Sequence, residues 1–180
     1  TGFFSVAFGN NYFIAVGYWG AILTSPDGVT WTERSSMTET GSLYSVTFGN
    51  NQFIAVGSYG TITTSPDGKI WTERSFHTKY WLNSVMNGNN QFMTVGEGGT
   101  ILTSPDGATW TERSLGTERP SWKSYDLESV TYGNNQFIVV GNDGEILTSP
   151  DGATWTERSS GLITSLYSVI YGNNQFVAVG

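Results

Sequence analysis

The chain is one unit repeated along its length. The pair Ser-Val begins at Ser5, Ser45, Ser84, Ser129 and Ser168, at spacings of 40, 39, 45 and 39 residues. The tetrapeptide Ser-Pro-Asp-Gly begins at Ser25, Ser65, Ser104 and Ser149, at spacings of 40, 39 and 45. The two ladders keep step, so the whole unit recurs. Segments 102–114 and 147–159 are both LTSPDGATWTERS, a sameness that fits recent duplication or consensus design. A chain built this way folds by stacking copies of a supersecondary unit too small to bury its apolar surface alone.

Each unit reads as four short strands. In the second unit these are 45–48 (SVTF), 52–56 (QFIAV), 61–64 (TITT) and 70–75 (IWTERS). Asn50-Asn51 between the first two suits a two-residue type I′ hairpin, because Asn tolerates the positive φ required there. In Ser65-Pro66-Asp67-Gly68 the proline presets φ, and the glycine supplies the left-handed residue that returns the chain to a strand. The 23 glycines have no collagen period and fit many tight turns.

The second strand decides the architecture. Phe53, Ile54, Ala55 and Val56 are all apolar, and a strand apolar on both faces is covered on both. Four-stranded sheets packed face to face around an axis meet that demand, and a period of about 40 residues fits such a blade. A β-trefoil would have three units and a β-helix shorter coils. The expected fold is all-β: a β-propeller of four-stranded antiparallel blades forming one domain over 1–180. Its repeats are 3–35, 43–75, 82–114 and 127–159, with an inner half-blade at 166–180. That makes five blade positions, the last incomplete. The ring could close on that thin fifth blade, or a second copy or a longer parent chain could complete it.

Composition removes other classes. There is no Cys, which excludes disulfides and thiol chemistry. No apolar run approaches the roughly 20 residues of a membrane helix. A net charge of −7 argues against tracking a phosphate backbone, so no nucleic acid is expected as a partner. The first residue is Thr, so the chain was processed or excerpted. No residue pattern addresses the chain to a compartment; a Cys-free, acidic, sheet-rich propeller resembles exported bacterial proteins, which makes an extracellular or periplasmic location the expectation.

The third turn and fourth strand resemble the Asp-box, or BNR-type, repeat of β-propellers, whose motif is Ser-x-Asp-x-Gly-x-Thr-Trp. Ser104-Pro105-Asp106-Gly107-Ala108-Thr109-Trp110 matches its Ser, Asp, Gly, Thr and Trp with one residue fewer between Asp and Gly. Segments 25–31, 65–71 and 149–155 share the shortened form, with Ile70 in place of Thr in the second. The resemblance implies that Asp27, Asp67, Asp106 and Asp151 are structural turn residues bonding backbone amides, with the Trp packed between sheets. Members of that family include sialidases, sortilin-type receptors, assembly factors of the photosystem II type and secreted binding proteins, so the fold does not select an activity.

Catalysis finds little support in the residues. Sialidases of the resembled family use three arginines, and four of the five arginines here (Arg34, Arg74, Arg113 and Arg158) sit in the repeated Thr-Glu-Arg-Ser. Asp126, Glu128, Asp143, Glu145 and Glu97 are candidate carboxylates for a glycosidase, which needs two about 5 to 9 Å apart. The bland alternative is solvated loop charge. His77 is the single histidine, too few for a His-based metal site or triad. The turn aspartates have no second carboxylate beside them, against the six to eight oxygens calcium usually takes. No catalytic residue, metal or cofactor is therefore expected. The repeated Phe13, Phe53, Phe92, Phe137 and Phe176, with Trp31, Trp71, Trp110 and Trp155, read as core.

Variation between units points to the functional face. The Asn-Asn and Ser-Pro-Asp-Gly turns barely change. The second-to-third turns and the links 36–43, 76–83, 115–128 and 160–166 differ in length and content. In an up-and-down blade these two sets emerge on the same side, and loops on a rigid scaffold commonly carry function. The candidate ligand-binding residues are Tyr18, Trp19, Tyr59, Tyr80, Trp81, Arg119, Trp122 and Tyr125, aromatic and basic types that interfaces favour. An alternative role for several is to cap the blade ends. The expected function is non-catalytic recognition of a glycan or protein ligand. The alternatives are an assembly module acting through homo-oligomerisation or an open blade edge, and a sialidase-like glycosidase.

Overall fold

In the computed structural model, residues 2–36, 41–115 and 125–180 are described. The first blade is β1 (Phe3–Gly9), β2 (Tyr12–Gly17), β3 (Ile22–Ser25) and β4 (Thr32–Arg34). The second is β5 (Leu43–Gly49), β6 (Gln52–Gly57), β7 (Ile62–Ser65) and β8 (Thr72–Glu73). The third is β9 (Leu82–Gly88), β10 (Gln91–Gly96), β11 (Ile101–Ser104) and β12 (Thr111–Glu112). The fourth is β13 (Leu127–Gly133), β14 (Gln136–Gly141), β15 (Glu145–Ser149) and β16 (Thr156–Ser159). A two-stranded fifth position holds β17 (Ser168–Gly172) and β18 (Gln175–Val179). Each four-stranded sheet is an antiparallel meander in chain order, as a β-propeller blade requires.

Local chemistry sets the strand ends. Asn50 and Asn51 stand at φ 45° and 64°, and the other four Asn-Asn pairs are also left-handed, which is the type I′ backbone. The fourth strand of the second unit covers only Thr72–Glu73, shorter than the 70–75 expected. The cause lies in the turn before it: Asp67 Oδ1 accepts the amides of Lys69 (2.8 Å) and Ile70 (3.0 Å), which keeps both out of the ladder.

Apolar side chains leave the second strand on both sides. Phe53 and Ala55 join Ile14, Val16, Val46 and Trp71 between the first and second blades. Ile54 and Val56 join Leu82, Val85 and Phe92 between the second and third. The same layer recurs between the third and fourth blades around Met93, Val130 and Phe137. It recurs again between the fourth blade and the fifth hairpin around Ile138, Val140 and Val169. Each buried Leu, Ile, Val or Phe contributes about 1.5–3 kcal/mol, so the blades stabilise one another rather than themselves. The two ends of the array do not meet. Val6 and Phe8 on β1, and Ile170, Val177 and Val179 at the other end, are exposed. The molecule is an open arc of five blade positions, not a closed five-bladed ring.

Candidate functional site

Polar contacts divide the arc into two faces. Asn10 Nδ2 donates to Pro66 O (3.3 Å), and Gln52 Nε2 to Asp106 O (2.8 Å). The Asn-Asn hairpin of one blade and the Ser-Pro-Asp-Gly turn of the next therefore share a face. The tight second-to-third turns Tyr18–Gly20, Ser58–Gly60, Glu97–Gly99 and Asn142–Gly144 bond instead to the variable links. Gly60 N donates to Tyr80 O (2.9 Å), Gly98 N to Asp126 Oδ1 (3.0 Å), and Ser160 Oγ to Gly144 O (2.7 Å).

On the constant face, the turns are built from side-chain bonds. Asp27 Oδ1 accepts the amides of Val29 (2.9 Å) and Thr30 (2.8 Å), Ser25 Oγ accepts Gly28 N (2.8 Å), and Trp31 Nε1 donates to Gly28 O (3.2 Å). Asp67, Asp106 and Asp151 repeat the two amide bonds. These bonds to the charged form hold Asp27 down to about 2 and lower Asp67, Asp106 and Asp151 in the same way.

On the variable face, an aromatic strip crosses three blades. Tyr18 packs on Phe4 (ring centroids 4.5 Å apart), Phe4 on Tyr44 (5.4 Å), Tyr44 on Trp81 (5.5 Å) and Trp81 on Tyr59 (6.4 Å). Beyond Trp81 the character changes to acidic. Trp81 N donates to Glu97 Oε2 (3.1 Å), and Asn83 Nδ2 to Glu128 Oε2 (3.4 Å). Partial burial, then the charges of Asp126 and Glu97, raise the Glu128 carboxyl above its ordinary value. Three carboxylates are thus close enough to act on one another at one end of the strip. Among the described residues, no group of three or more His, Asp or Glu is arranged to hold a metal ion.

The sequence-based candidates are distributed unevenly over this face. Tyr18, Tyr59 and Trp81 belong to the strip. Tyr80 sits over Gly98, where a Cβ would come 2.7 Å from its ring. Tyr125 lies beside Gly99 and is half-buried. Trp19 is 85% exposed and opens with Tyr18, Glu33 and Arg34 onto a cleft of about 270 Å³. Arg119 and Trp122 lie outside the described residues.

Sequence reasoning passed over Phe4 and Tyr44, the middle of the strip. Both are bulge residues. The β1–β2 register steps from Phe3 to Ser5, and the β5–β6 register from Leu43 to Ser45, leaving one extra residue each time. Asn83 and Glu128 occupy the same bulge in the next two blades. A bulge re-aims its side chain out of the ladder, which is how these four reach the variable face. The signal was in the sequence: the column before each Ser-Val reads Phe, Tyr, Asn, Glu, Tyr while its neighbours hardly vary.

Comparisons with known proteins define the class as a β-propeller. YCF48 from Cyanidioschyzon merolae superposes with a TM-score of 0.69 at 21% identity, over 96% of this chain and 60% of that one. A structure described as YCF48 bound to D1 peptide gives 0.69 at 18%, over 93% and 56%. A virginiamycin B lyase from Staphylococcus aureus gives 0.84 at 14%, over 99% and 63%. The chain therefore spans about 60% of the length of these structures. No family model and no curated protein sequence matches it.

Proposed function

We propose that this chain is a non-catalytic binding propeller that takes an extended protein segment across its variable face. The observation that carries the reading is the continuous surface from Tyr18 through Phe4, Tyr44 and Trp81 to Glu97 and Glu128. Aromatic side chains offer large contact area at low entropic cost, and charge sets orientation more than affinity. The ligand that fits is a peptide with aromatic or aliphatic residues followed by Lys or Arg. The structure described as YCF48 bound to D1 peptide supports the idea that a chain of this fold can bind a peptide. Glycan recognition is the competing reading, since the same aromatics could stack on sugar rings.

Selection from a displayed random-peptide library, run beside a glycan array, tests this. Enriched peptides should combine aromatic and basic residues. Tyr44→Ala and Trp81→Ala should each weaken them by at least about tenfold, the scale of an interface hot spot. Glycan hits lost in the same two variants would replace the peptide reading. Enriched peptides that bind both variants as well as the parent would remove the site.

A further inference from the structure

The two ends of the arc are complementary halves of the junction that recurs four times inside it. Each internal junction joins the first two strands of one blade to the first strand of the next, and two contacts recur at all four. An aromatic or amide side chain of the later blade covers a glycine of the earlier one: Phe48 on Gly9, Asn87 on Gly49, Tyr132 on Gly88 and Tyr171 on Gly133. A backbone amide of the later blade donates to a serine of the earlier one. The pairs are Val46 N to Ser5 Oγ (3.2 Å), Val85 N to Ser45 Oγ (3.1 Å), Val130 N to Ser84 Oγ (3.4 Å) and Val169 N to Ser129 Oγ (3.2 Å). Where the later blade carries a Ser-Pro-Asp-Gly turn, a side-chain amide also reaches a carbonyl of that turn: Asn10 Nδ2 to Pro66 O (3.3 Å), Gln52 Nε2 to Asp106 O (2.8 Å) and Gln91 Nε2 to Asp151 O (3.0 Å). An aliphatic or Met side chain covers the turn glycine, as Ile14 does at Gly68 and Met93 at Gly152.

Each of these features stands ready once more at the ends. At the C-terminal end, Gly172 has nothing within 4 Å of where its Cβ would be, and Ser168, Gln175 and Val177 are exposed. At the N-terminal end, Phe8 is 57% exposed. The turn glycine Gly28 meets only Phe13 of its own blade, at 3.8 Å. We infer that this arc associates head to tail with a second copy of itself. Phe8 of one copy covers Gly172 of the other, Val6 N–H donates to Ser168 Oγ, Gln175 reaches the Asp27 carbonyl, and Val177 covers Gly28. The interface is heterologous, so it extends until a ring closes or continues as an open chain.

Sedimentation across a dilution series of the 180-residue chain tests the inference, with Phe8→Glu and Gly172→Trp as variants. Gly172→Trp points into open space, Phe8 is 57% exposed and its ring packs on Phe13, and circular dichroism is the check that each variant keeps the fold. The parent should show concentration-dependent species of at least twice the 19.6 kDa chain mass. Each variant alone should be monomeric. An equimolar mixture should give a dimer and nothing larger, since the head of the Gly172→Trp chain and the tail of the Phe8→Glu chain form one junction. A parent that stays monomeric at the highest concentration overturns the inference and leaves the ends to a different partner. Variants that associate like the parent, or a mixture that does not pair, also overturn it.

Discussion

Trp31 and Trp71 occupy the same place in consecutive units and make the same hydrogen bond to a turn glycine carbonyl, yet Trp71 is 3% exposed and Trp31 37%. The difference is the neighbour. Trp71 lies between two blades, whereas Trp31 belongs to the first blade and has none before it. Trp71→Ala should therefore cost about 3–5 kcal/mol, and Trp31→Ala about half that or less. Urea unfolding of the two variants in dilute solution measures both.

The glycine under each neighbouring side chain gives a sharper contrast. A Cβ at Gly9 would fall on the Phe48 ring, whereas one at Gly172 would meet nothing. Gly9→Ala should destabilise by about 1–3 kcal/mol, the usual cost of overpacking. Gly172→Ala, in dilute solution, should stay within about 0.5 kcal/mol of the parent. Thermal melts of the pair check this.

Acid should loosen the constant face. The four turn aspartates have lowered folded-state values, so the unfolded chain takes up protons at higher pH than the folded one. Their contribution is full above the ordinary carboxylate range and is lost as pH falls through the folded values, toward about 2 for Asp27. Because these groups are exposed, each contributes modestly. Asp106→Asn should lower stability at neutral pH and flatten its acid dependence, read from urea midpoints at several pH values.

Trp19 and Tyr59 are held at φ 59° and 54°, a left-handed backbone that is strained for bulky residues. The equivalent position in the third blade is Gly98. Trp19→Gly should not destabilise the fold and should gain up to about 1 kcal/mol, the lower end of such strain. A loss of peptide affinity alongside that gain would mark the strain as serving the variable face.

The raised Glu128 carboxyl gives binding a pH signature. A basic peptide should bind more weakly as pH falls through the value of this group, because its negative charge is then neutralised. Glu128→Gln should remove that part of the pH dependence and reduce the sensitivity to salt. Titration calorimetry at several pH values reads both effects.

Much of the frame was legible because its chemistry is local. Asn50-Asn51 and Ser65-Pro66-Asp67-Gly68 select their turns through φ preference and side-chain bonds within four residues, and these recur in every complete unit. Phe53 to Val56 announced sheets covered on both faces. The strip was legible only in part. Tyr18 and Tyr59 could be placed from turn position and Trp81 from its link, but Phe4 and Tyr44, next to the repeated Ser-Val, were not singled out. Only the bulged register turns them outward.

By itself, then, the sequence determined the repeating unit, its turns and the need for blades to stack, since each follows from contacts between residues close in the chain. Tertiary structure decided which side chains meet across blades, that Glu97, Asp126 and Glu128 share one end of the variable face, and that the first and last blades stand apart. Those outcomes depend on the angle accumulated from one blade to the next, a quantity that no single repeat encodes.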